Sequence, residues 1–331
     1  MGKPDARKRR RPVAAGPQEA SSSKQPRVLT QALLIARSVI LIALLGAFAN
    51  VSQLTLAPVY GSIPAGAWHP HVLITGCFAG WAGNLALRHL LPVRTAKLLP
   101  LVALCVPTAQ FFLFRLSGPL GPRLGPLVTE GATLLPLAAL TASSVADAAE
   151  GVRAPPLLPT FVADAAPGLL SWLVLQQARA RSAAHIAAHV GSAFHYTRIG
   201  MELCLAGAWA LLAPSAYLVL ALPALLHTAL VNPHVATFTG TAALNGRMRA
   251  DGWALLARRE SVTGYISVAQ NTADMARVLR ADHSLLGGDW VDYRGPKVTE
   301  PVYSVFVMLE AVRLVGRREP LEDADATALV M

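Results

Sequence analysis

Long apolar runs dominate the first two thirds of the chain, and they have the length of membrane-crossing helices. A helix that crosses the hydrocarbon core needs about 20 mostly apolar residues. Such runs begin near Ser38, His71, Leu98, Leu124 and Thr160, and a last one covers 201–231 with two prolines inside it. The pattern predicts six or seven crossings within residues 31–231, because the last run can form one bent helix or two short ones.

The final part, residues 232–331, has the shorter patterns of a soluble domain. β-branched and aromatic residues from Thr263 to Val268 predict a strand, and 276–281 predicts a return strand. A helix is expected from Glu300 onwards, because Pro301 suits a first turn and apolar residues then recur at helical spacing. The expected fold is an α-helical polytopic membrane region followed by a small β-hairpin plus helix module.

Charge divides the chain in the same way. Residues 1–30 hold eight basic and two acidic residues and predict a disordered basic arm, whereas residues 31–231 hold ten basic and five acidic residues. Only 15% of the chain is charged, against roughly a quarter in soluble domains. The partner indicated is therefore a lipid bilayer and not a nucleic acid. Positive residues mark cytosolic segments, which places the N-terminus in the cytosol, and Arg247, Arg249, Arg258 and Arg259 favour a cytosolic tail as well.

Three acidic residues, Glu130, Asp164 and Glu202, interrupt or border the apolar runs. A charge at the bilayer centre costs roughly 2.5–3.5 kcal/mol, so each is a candidate ion or proton site. The favoured interpretation is that each lies near a helix end and reaches interfacial water. His185 and His189 are one helical turn apart, but the spacing supplies no further ligand, so no metal site is predicted.

Gly76 and Gly80 form a small-residue step that lets two helices approach closely. The step is a candidate for binding a partner helix, and packing inside one bundle is the simpler interpretation. The three cysteines are far apart in sequence, and no two of them form a CxxC motif. Their spacing therefore predicts neither a disulfide framework nor a zinc site.

Three segments of the tail carry a family resemblance. They are RESVTGYISV (259–268), RVLRADHSLLGG (277–288) and EPVYSVFVMLEAVRL (300–314). They resemble fungal membrane-anchored proteins of the spermidine/spermine synthase family, most strongly over 220–331. The resemblance implies a β-hairpin module leading into a Rossmann-type sheet, which transfers an aminopropyl group from decarboxylated S-adenosylmethionine to a diamine. It also implies Asp282, His283 and Tyr303 as substrate-side contacts.

The cofactor part of that family has no counterpart in the chain. Residues 325–331 resemble the first strand of a Rossmann-type sheet, but the glycine-rich turn and the catalytic aspartate that follow in the family are missing. We therefore expect residues 232–331 to be an incomplete, truncated synthase-like domain without a catalytic residue, a bound cofactor or activity of its own. A small polytopic transporter and a noncatalytic membrane adaptor are the alternatives.

Overall fold

The computed structural model describes residues 24–152, 159–235, 237–274, 276–291 and 300–301. Within these ranges ten α-helices and two short 3-10 helices precede a sheet. The helices are α1 (Lys24–Tyr60), α2 (Ser62–Ala82), α3 (Asn84–Leu90), α4 (Thr95–Phe114), α5 (Ser117–Ala132), α6 (Leu134–Glu150), α7 (Thr160–His189), α8 (Arg198–Leu212), α9 (Leu222–Leu230) and α10 (Phe238–Ala250). The strands are β1 (Trp253–Ser261), β2 (Gly264–Asn271), β3 (Ala276–Ala281), β4 (Ser284–Trp290) and β5 (Glu300–Pro301).

Helix α1 is central to the bundle and packs against α2, α5, α6, α7 and α8. Its buried face includes Leu45 and Phe48, and the rings of Phe48 and Trp209 lie 5.5 Å apart. The main core adds Leu137 from α6 and Leu175 from α7. Burial of these apolar side chains, worth about 1.5–3 kcal/mol each, is the main stabilising contribution to the bundle.

Two tight helix contacts depend on glycine. Gly76 and Gly80 of α2 lie against α6 of the same chain, and a Cβ at Gly80 would collide with the carbonyl of Ala139. A glycine at each position lets the two helix backbones approach. The two glycines predicted from the sequence to allow close helix packing therefore pack α2 against α6 of the same chain. Binding of a helix from another chain through these glycines stays a prediction.

The sheet is an antiparallel meander in the order β1-β2-β3-β4-β5. It lies at the end of the bundle where α1 finishes, because the side chain of Arg198 contacts both the Leu54 carbonyl of α1 and the Ser261 carbonyl of β1. The opposite end of the bundle holds the start of α1, where Leu34 lies close to Gly151.

The predicted fold class is wrong in two respects, the number of membrane-crossing helices and the extent of the sheet. Three helical segments of the described part are long and apolar enough to cross a membrane, Val28–Tyr60, Thr95–Phe114 and Ser117–Glu150, where six or seven crossings were expected. Helices α8 and α9 have only 15 and 9 residues, and α7 carries Asp164 and two arginines. A crossing requires about 20 mostly apolar residues. Helices α8 and α9 are too short for this, and α7 is interrupted by charged residues.

The sheet differs from the prediction as well. β2 and β3 cover the two predicted strands, but β1 and β4 extend the hairpin into a larger meander. The sequence does not predict β1, because WALLARRES lacks β-branched residues, nor β4, because Gly287 and Gly288 disfavour a strand. Every strand pairing described is antiparallel. The helix expected after Glu300 and the strand at 325–331 lie outside the described residues.

Candidate functional site

A cavity lies where the helical bundle meets the sheet, and we refer to it as the junction cavity. Its volume is about 450 Å³, within the usual range for ligand pockets. The bundle contributes Val59 and Phe114 from the ends of α1 and α4, and α10 contributes Met248. The segment before α10 and the strands β1, β2 and β3 complete the wall, together with the turn after β3. The cavity therefore exists only when bundle and sheet are packed together.

Asp282 is fixed in the wall of the cavity by the turn between β3 and β4. Its φ of 50° is left-handed, a conformation that aspartate tolerates better than most residues. Its backbone N–H donates to the Tyr265 carbonyl at 2.9 Å, and its Oδ1 accepts the Tyr265 N–H at 2.6 Å. Burial raises the pKa of the Asp282 carboxyl, and the Tyr265 hydrogen bond opposes this rise.

Gly264 makes room for that carboxylate. Its φ is 131°, a backbone angle that residues other than glycine rarely adopt. A Cβ at this position would also collide with the Asp282 side chain. The first residue of β2 must therefore be glycine for Asp282 to hold its place.

Two guanidinium groups lie over the ring of Tyr265. The Cζ atoms of Arg198 and Arg258 are 5.0 and 5.3 Å from the ring centroid. Such cation–π contacts contribute roughly 0.5–2 kcal/mol each. Burial raises the pKa of the Tyr265 phenol, so the ring is neutral at physiological pH.

His234 is held beside Tyr265 by the segment that precedes α10. Arg258 Nη1 donates to the Pro233 carbonyl at 2.8 Å, and the His234 ring lies 5.6 Å from the ring of Phe114 and 6.0 Å from that of Tyr265. Burial, assisted by the positive charges of Arg258 and Arg198, lowers the pKa of His234 to about 4. His234 is therefore neutral at pH 7.

The cavity has a strongly positive wall. Four arginines line it, Arg115, Arg247, Arg258 and Arg280, against the one carboxylate of Asp282 among the described lining residues. Arg115 lies over the Phe111 ring at 5.7 Å. Within the described ranges neither Arg247 nor Arg280 has a hydrogen-bond or ion-pair partner. Their charges are thus available to a ligand.

The structure brings two of the three predicted substrate-side residues into this cavity. Asp282 and His283 both line it, and Tyr303 lies outside the described residues. Sequence reasoning missed His234, Arg258 and Tyr265 as cavity residues. Tyr265 stood inside a segment already singled out for its resemblance, but no spacing rule connects it to a histidine some thirty residues earlier.

A second polar cluster is buried inside the bundle. Glu130 Oε1 lies 2.6 Å from His69 Nδ1 and accepts from Ser52 at 3.3 Å. Glu202 Oε1 accepts from Gln110 at 2.9 Å and from Thr55 at 3.3 Å. Both glutamates are 0% exposed. Each lies near a helix end, as expected from the sequence, but the bundle excludes them from solvent, whereas Asp164 is exposed.

The histidines of α7 pack around a tyrosine. His185 Nε2 lies 3.0 Å from the Tyr196 hydroxyl, and the ring of His189 stacks on Tyr196 at 5.1 Å. Within the described ranges no group of three or more histidine, cysteine, aspartate or glutamate side chains is placed to hold a metal ion.

Comparison with known proteins adds one strong similarity. The chain is 38% identical over 300 residues to an N-terminal histidine N-methyltransferase of Emericella nidulans, and the alignment covers 88% of this chain and 53% of that protein. The chain therefore spans about half the length of the relative that it matches. No family model matches the chain, and no solved structure does.

This similarity corrects the functional expectations drawn from the sequence. The relative is a methyltransferase and not a spermidine synthase, so the family resemblance, aminopropyl transfer and a role in polyamine synthesis are wrong. The transporter and adaptor alternatives are not supported either. One of the tail segments that suggested the resemblance contains Asp282. The hydrogen bonds of Asp282 to Tyr265 hold its carboxylate in place, and such an arrangement is not specific to a site for a diamine.

A methyltransferase requires a methyl donor, for which the common cofactor is S-adenosylmethionine. The reactive centre of that donor is a sulfonium cation. Four arginines and the one carboxylate of Asp282 line the described wall of the junction cavity, so the wall is positively charged and offers one carboxylate to a cationic group. Among the described lining residues, nothing distinguishes a sulfonium from any other cation.

Proposed function

We propose that this chain is part of a methyltransferase that modifies a terminal histidine of a protein or peptide, and that the junction cavity binds the terminal residue. The observation that carries the proposal is the 38% identity over 300 residues to an enzyme named for that reaction. The alignment covers 88% of the chain, so it includes residues on both sides of the cavity.

The cavity has groups that suit a terminal histidine. An α-ammonium group needs a carboxylate, and Asp282 supplies one whose position is set by two hydrogen bonds to Tyr265. An imidazole ring needs flat apolar surfaces, and Phe114 and Tyr265 both line the cavity. Phe114 and Tyr265 already pack against the imidazole of His234 at 5.6 and 6.0 Å.

A peptide-binding experiment tests the proposal. The full chain in lipid nanodiscs is titrated with a short peptide that begins with histidine, and with the same peptide acetylated at its N-terminus. The free peptide is expected to bind more tightly, and Asp282→Asn should weaken its binding by about 10- to 100-fold, the usual effect of losing one charge-assisted hydrogen bond. Asp251→Asn, at the exposed end of α10, is the matched control. Equal binding of both peptides would contradict the assignment.

We also propose that the bundle lies in a lipid bilayer. Three described segments have sufficient length and apolarity, and large apolar side chains point outward along several helices: Phe78 is 72% exposed, Phe161 74% and Leu211 85%. Many large apolar side chains exposed on one protein mark a membrane or protein interface. A bilayer is favoured here because these residues lie on different helices around the bundle.

The position of the sheet favours an orientation in that bilayer. α1 follows the basic arm, which the positive-inside rule keeps in the cytosol. The sheet and the junction cavity lie at the other end of α1, beside Leu54. If α1 spans the membrane, the cavity faces away from the cytosol, in contrast to the cytosolic tail expected from the arginines of 247–259.

Cysteine labelling tests this orientation. Single cysteines are introduced at Ser22 in the arm and at Thr263 in the exposed β1–β2 turn, in a chain whose three native cysteines are replaced. A membrane-impermeant maleimide is added to intact microsomes, whose cytosolic face is outside. With the proposed orientation, the Ser22→Cys variant should react at once, and the Thr263→Cys variant should react only after the membrane is opened. Immediate reaction at both sites would refute it.

A further inference from the structure

We propose that the arginines of the junction cavity hold the imidazole of the bound substrate in its neutral form. A ring nitrogen then keeps the electron pair that would form the N–CH3 bond while the C–S bond of a sulfonium donor breaks and leaves a thioether. The methylated ring would afterwards lose its N–H proton to solvent. This inference rests on the proposed function and assigns a role to Arg247 and Arg280, which have no partner within the described ranges. It also explains why a site for a terminal amine has so many positive charges.

The chemistry sets the requirement. A free histidine side chain has a pKa of about 6.5, so near neutral pH a substantial fraction is protonated. Both nitrogens of the protonated ring are donors and neither has a free electron pair. Only the neutral ring is a nucleophile, and any positive charge close to the ring favours that form.

The geometry supplies such charges from four elements of the fold. Arg115 belongs to α4, Arg247 to α10, Arg258 to β1 and Arg280 to β3, and all of them line the one cavity. With an effective dielectric constant of about 20, one guanidinium about 7 Å from a ring lowers its pKa by roughly one to two units. Behind the wall, Arg198 is paired with Glu260 at 3.1 Å, and its charge still helps to lower the pKa of His234.

The remaining ionisable groups at the cavity do not cancel this effect. Asp282 is the carboxylate of the described wall, and the proposed function assigns it to the α-ammonium group. Tyr265 is neutral, and His283 is exposed. His234 is an imidazole already present in the same cavity. Burial and the charges of Arg258 and Arg198 lower its pKa, which is the effect proposed for the imidazole of the substrate.

The test measures the protonation of the substrate ring and does not require methyl transfer. A peptide whose terminal histidine carries ¹³C and ¹⁵N labels is bound to the full chain in nanodiscs, and its imidazole is titrated by NMR. The pKa of the bound ring is expected to lie at least one unit below that of the free peptide. Arg280→Gln and Arg247→Gln should each raise the bound value by half a unit or more.

Matched variants separate charge from folding. Arg280→Lys keeps the charge and should keep the lowered value, which a purely structural role of the guanidinium would not predict. Arg277→Gln on β3 and Arg249→Gln on α10 change exposed arginines that do not line the cavity, and they should leave the titration unchanged. A bound peptide with the pKa of the free peptide would overturn this inference alone, whereas failure of the peptide to bind would overturn the proposed function and this inference with it.

Discussion

One carboxylate oxygen of Glu260 joins the sheet to the helical bundle through Arg198. Glu260 Oε2 accepts the backbone N–H of Arg198 at 2.7 Å and its Nη1 at 3.1 Å. The same guanidinium donates to the Leu54 carbonyl at 2.9 Å and to the Ser261 carbonyl at 2.7 Å. Arg198 is 0% exposed, so this contact is shielded from water. The junction cavity depends on the two parts staying in this relative position.

Removing either partner of this pair should loosen the sheet from the bundle. Breaking a buried ion pair by deleting one member typically costs about 3–5 kcal/mol, because the other charge is left without a partner. Arg198→Leu and Glu260→Leu should each increase hydrogen exchange across 253–290, measured by mass spectrometry. The double variant should cost less than the sum of the single ones. Arg259→Gln, an exposed neighbour, serves as control, and a strictly additive double variant would contradict the pairing.

His234 should make the fold sensitive to acid. Its pKa is lowered to about 4 from 6.5, so the unfolded chain binds a proton between these values that the folded chain does not. The contribution of His234 to stability is therefore complete above pH 6.5 and is lost as the pH falls towards 4, at a cost of up to about 3 kcal/mol.

The measurement is the melting temperature of the full chain in detergent between pH 4 and 7. His234→Phe keeps the ring contacts with Phe114 and Tyr265 and removes the titration, so its melting temperature should fall less on acidification than that of the unchanged chain. His283→Phe alters an exposed ring and should behave like the unchanged chain. Identical pH profiles for all three proteins would show that His234 does not carry the effect.

Gly264 should not tolerate a side chain. Alanine at φ 131° is strained, and its Cβ would collide with the Asp282 carboxylate. Gly264→Ala is expected to lower stability by more than about 1 kcal/mol and to weaken any ligand contact that Asp282 makes. Gly246→Ala in α10 meets nothing within 4 Å and should stabilise its helix slightly. Denaturant titration compares the two, and an equal response would disprove the steric argument.

The buried pair of His69 and Glu130 should be important for the stability of the bundle. Replacing Glu130 by leucine leaves His69 Nδ1 and the Ser52 hydroxyl without their partner, with an expected cost of about 3–5 kcal/mol. Glu130→Gln keeps an acceptor oxygen and should cost less. Glu150→Gln, which removes a partially exposed carboxylate beside Arg88, provides the comparison, because exposed pairs contribute about 0–1 kcal/mol. Thermal unfolding in detergent should rank the three variants in that order; a Glu130→Leu variant as stable as Glu150→Gln would be incompatible with it.

Local patterns in the sequence located several elements correctly. The strands around Thr263–Val268 and 276–281 were indicated by β-branched residues, and both belong to the sheet as β2 and β3. Asp282 and His283 line the junction cavity, but they were named only through the family resemblance, and their role as substrate contacts stays a prediction. Neighbouring residues define the two strands, and that is why sequence alone could find them.

The length of each helix and the chemistry of the site were harder to predict. The sequence does not reveal that Arg198, Arg258 and His234 surround Tyr265, because these residues come from a helix, a strand and a connecting segment. The resemblance to spermidine synthases rested on short segments of the tail and was wrong, whereas identity along 300 residues links the chain to a histidine methyltransferase.

By itself, the sequence determined that much of this protein is apolar helix, that its charge is concentrated outside that region, and where the strands β2 and β3 lie. Hydrophobic periodicity and turn chemistry depend on residues close together in the chain. Tertiary structure decided which polar groups are buried, which arginines surround the cavity, and that the sheet lies at the far end of α1. Those outcomes depend on contacts between distant segments, whose burial and electrostatic energies exist only after the chain has packed.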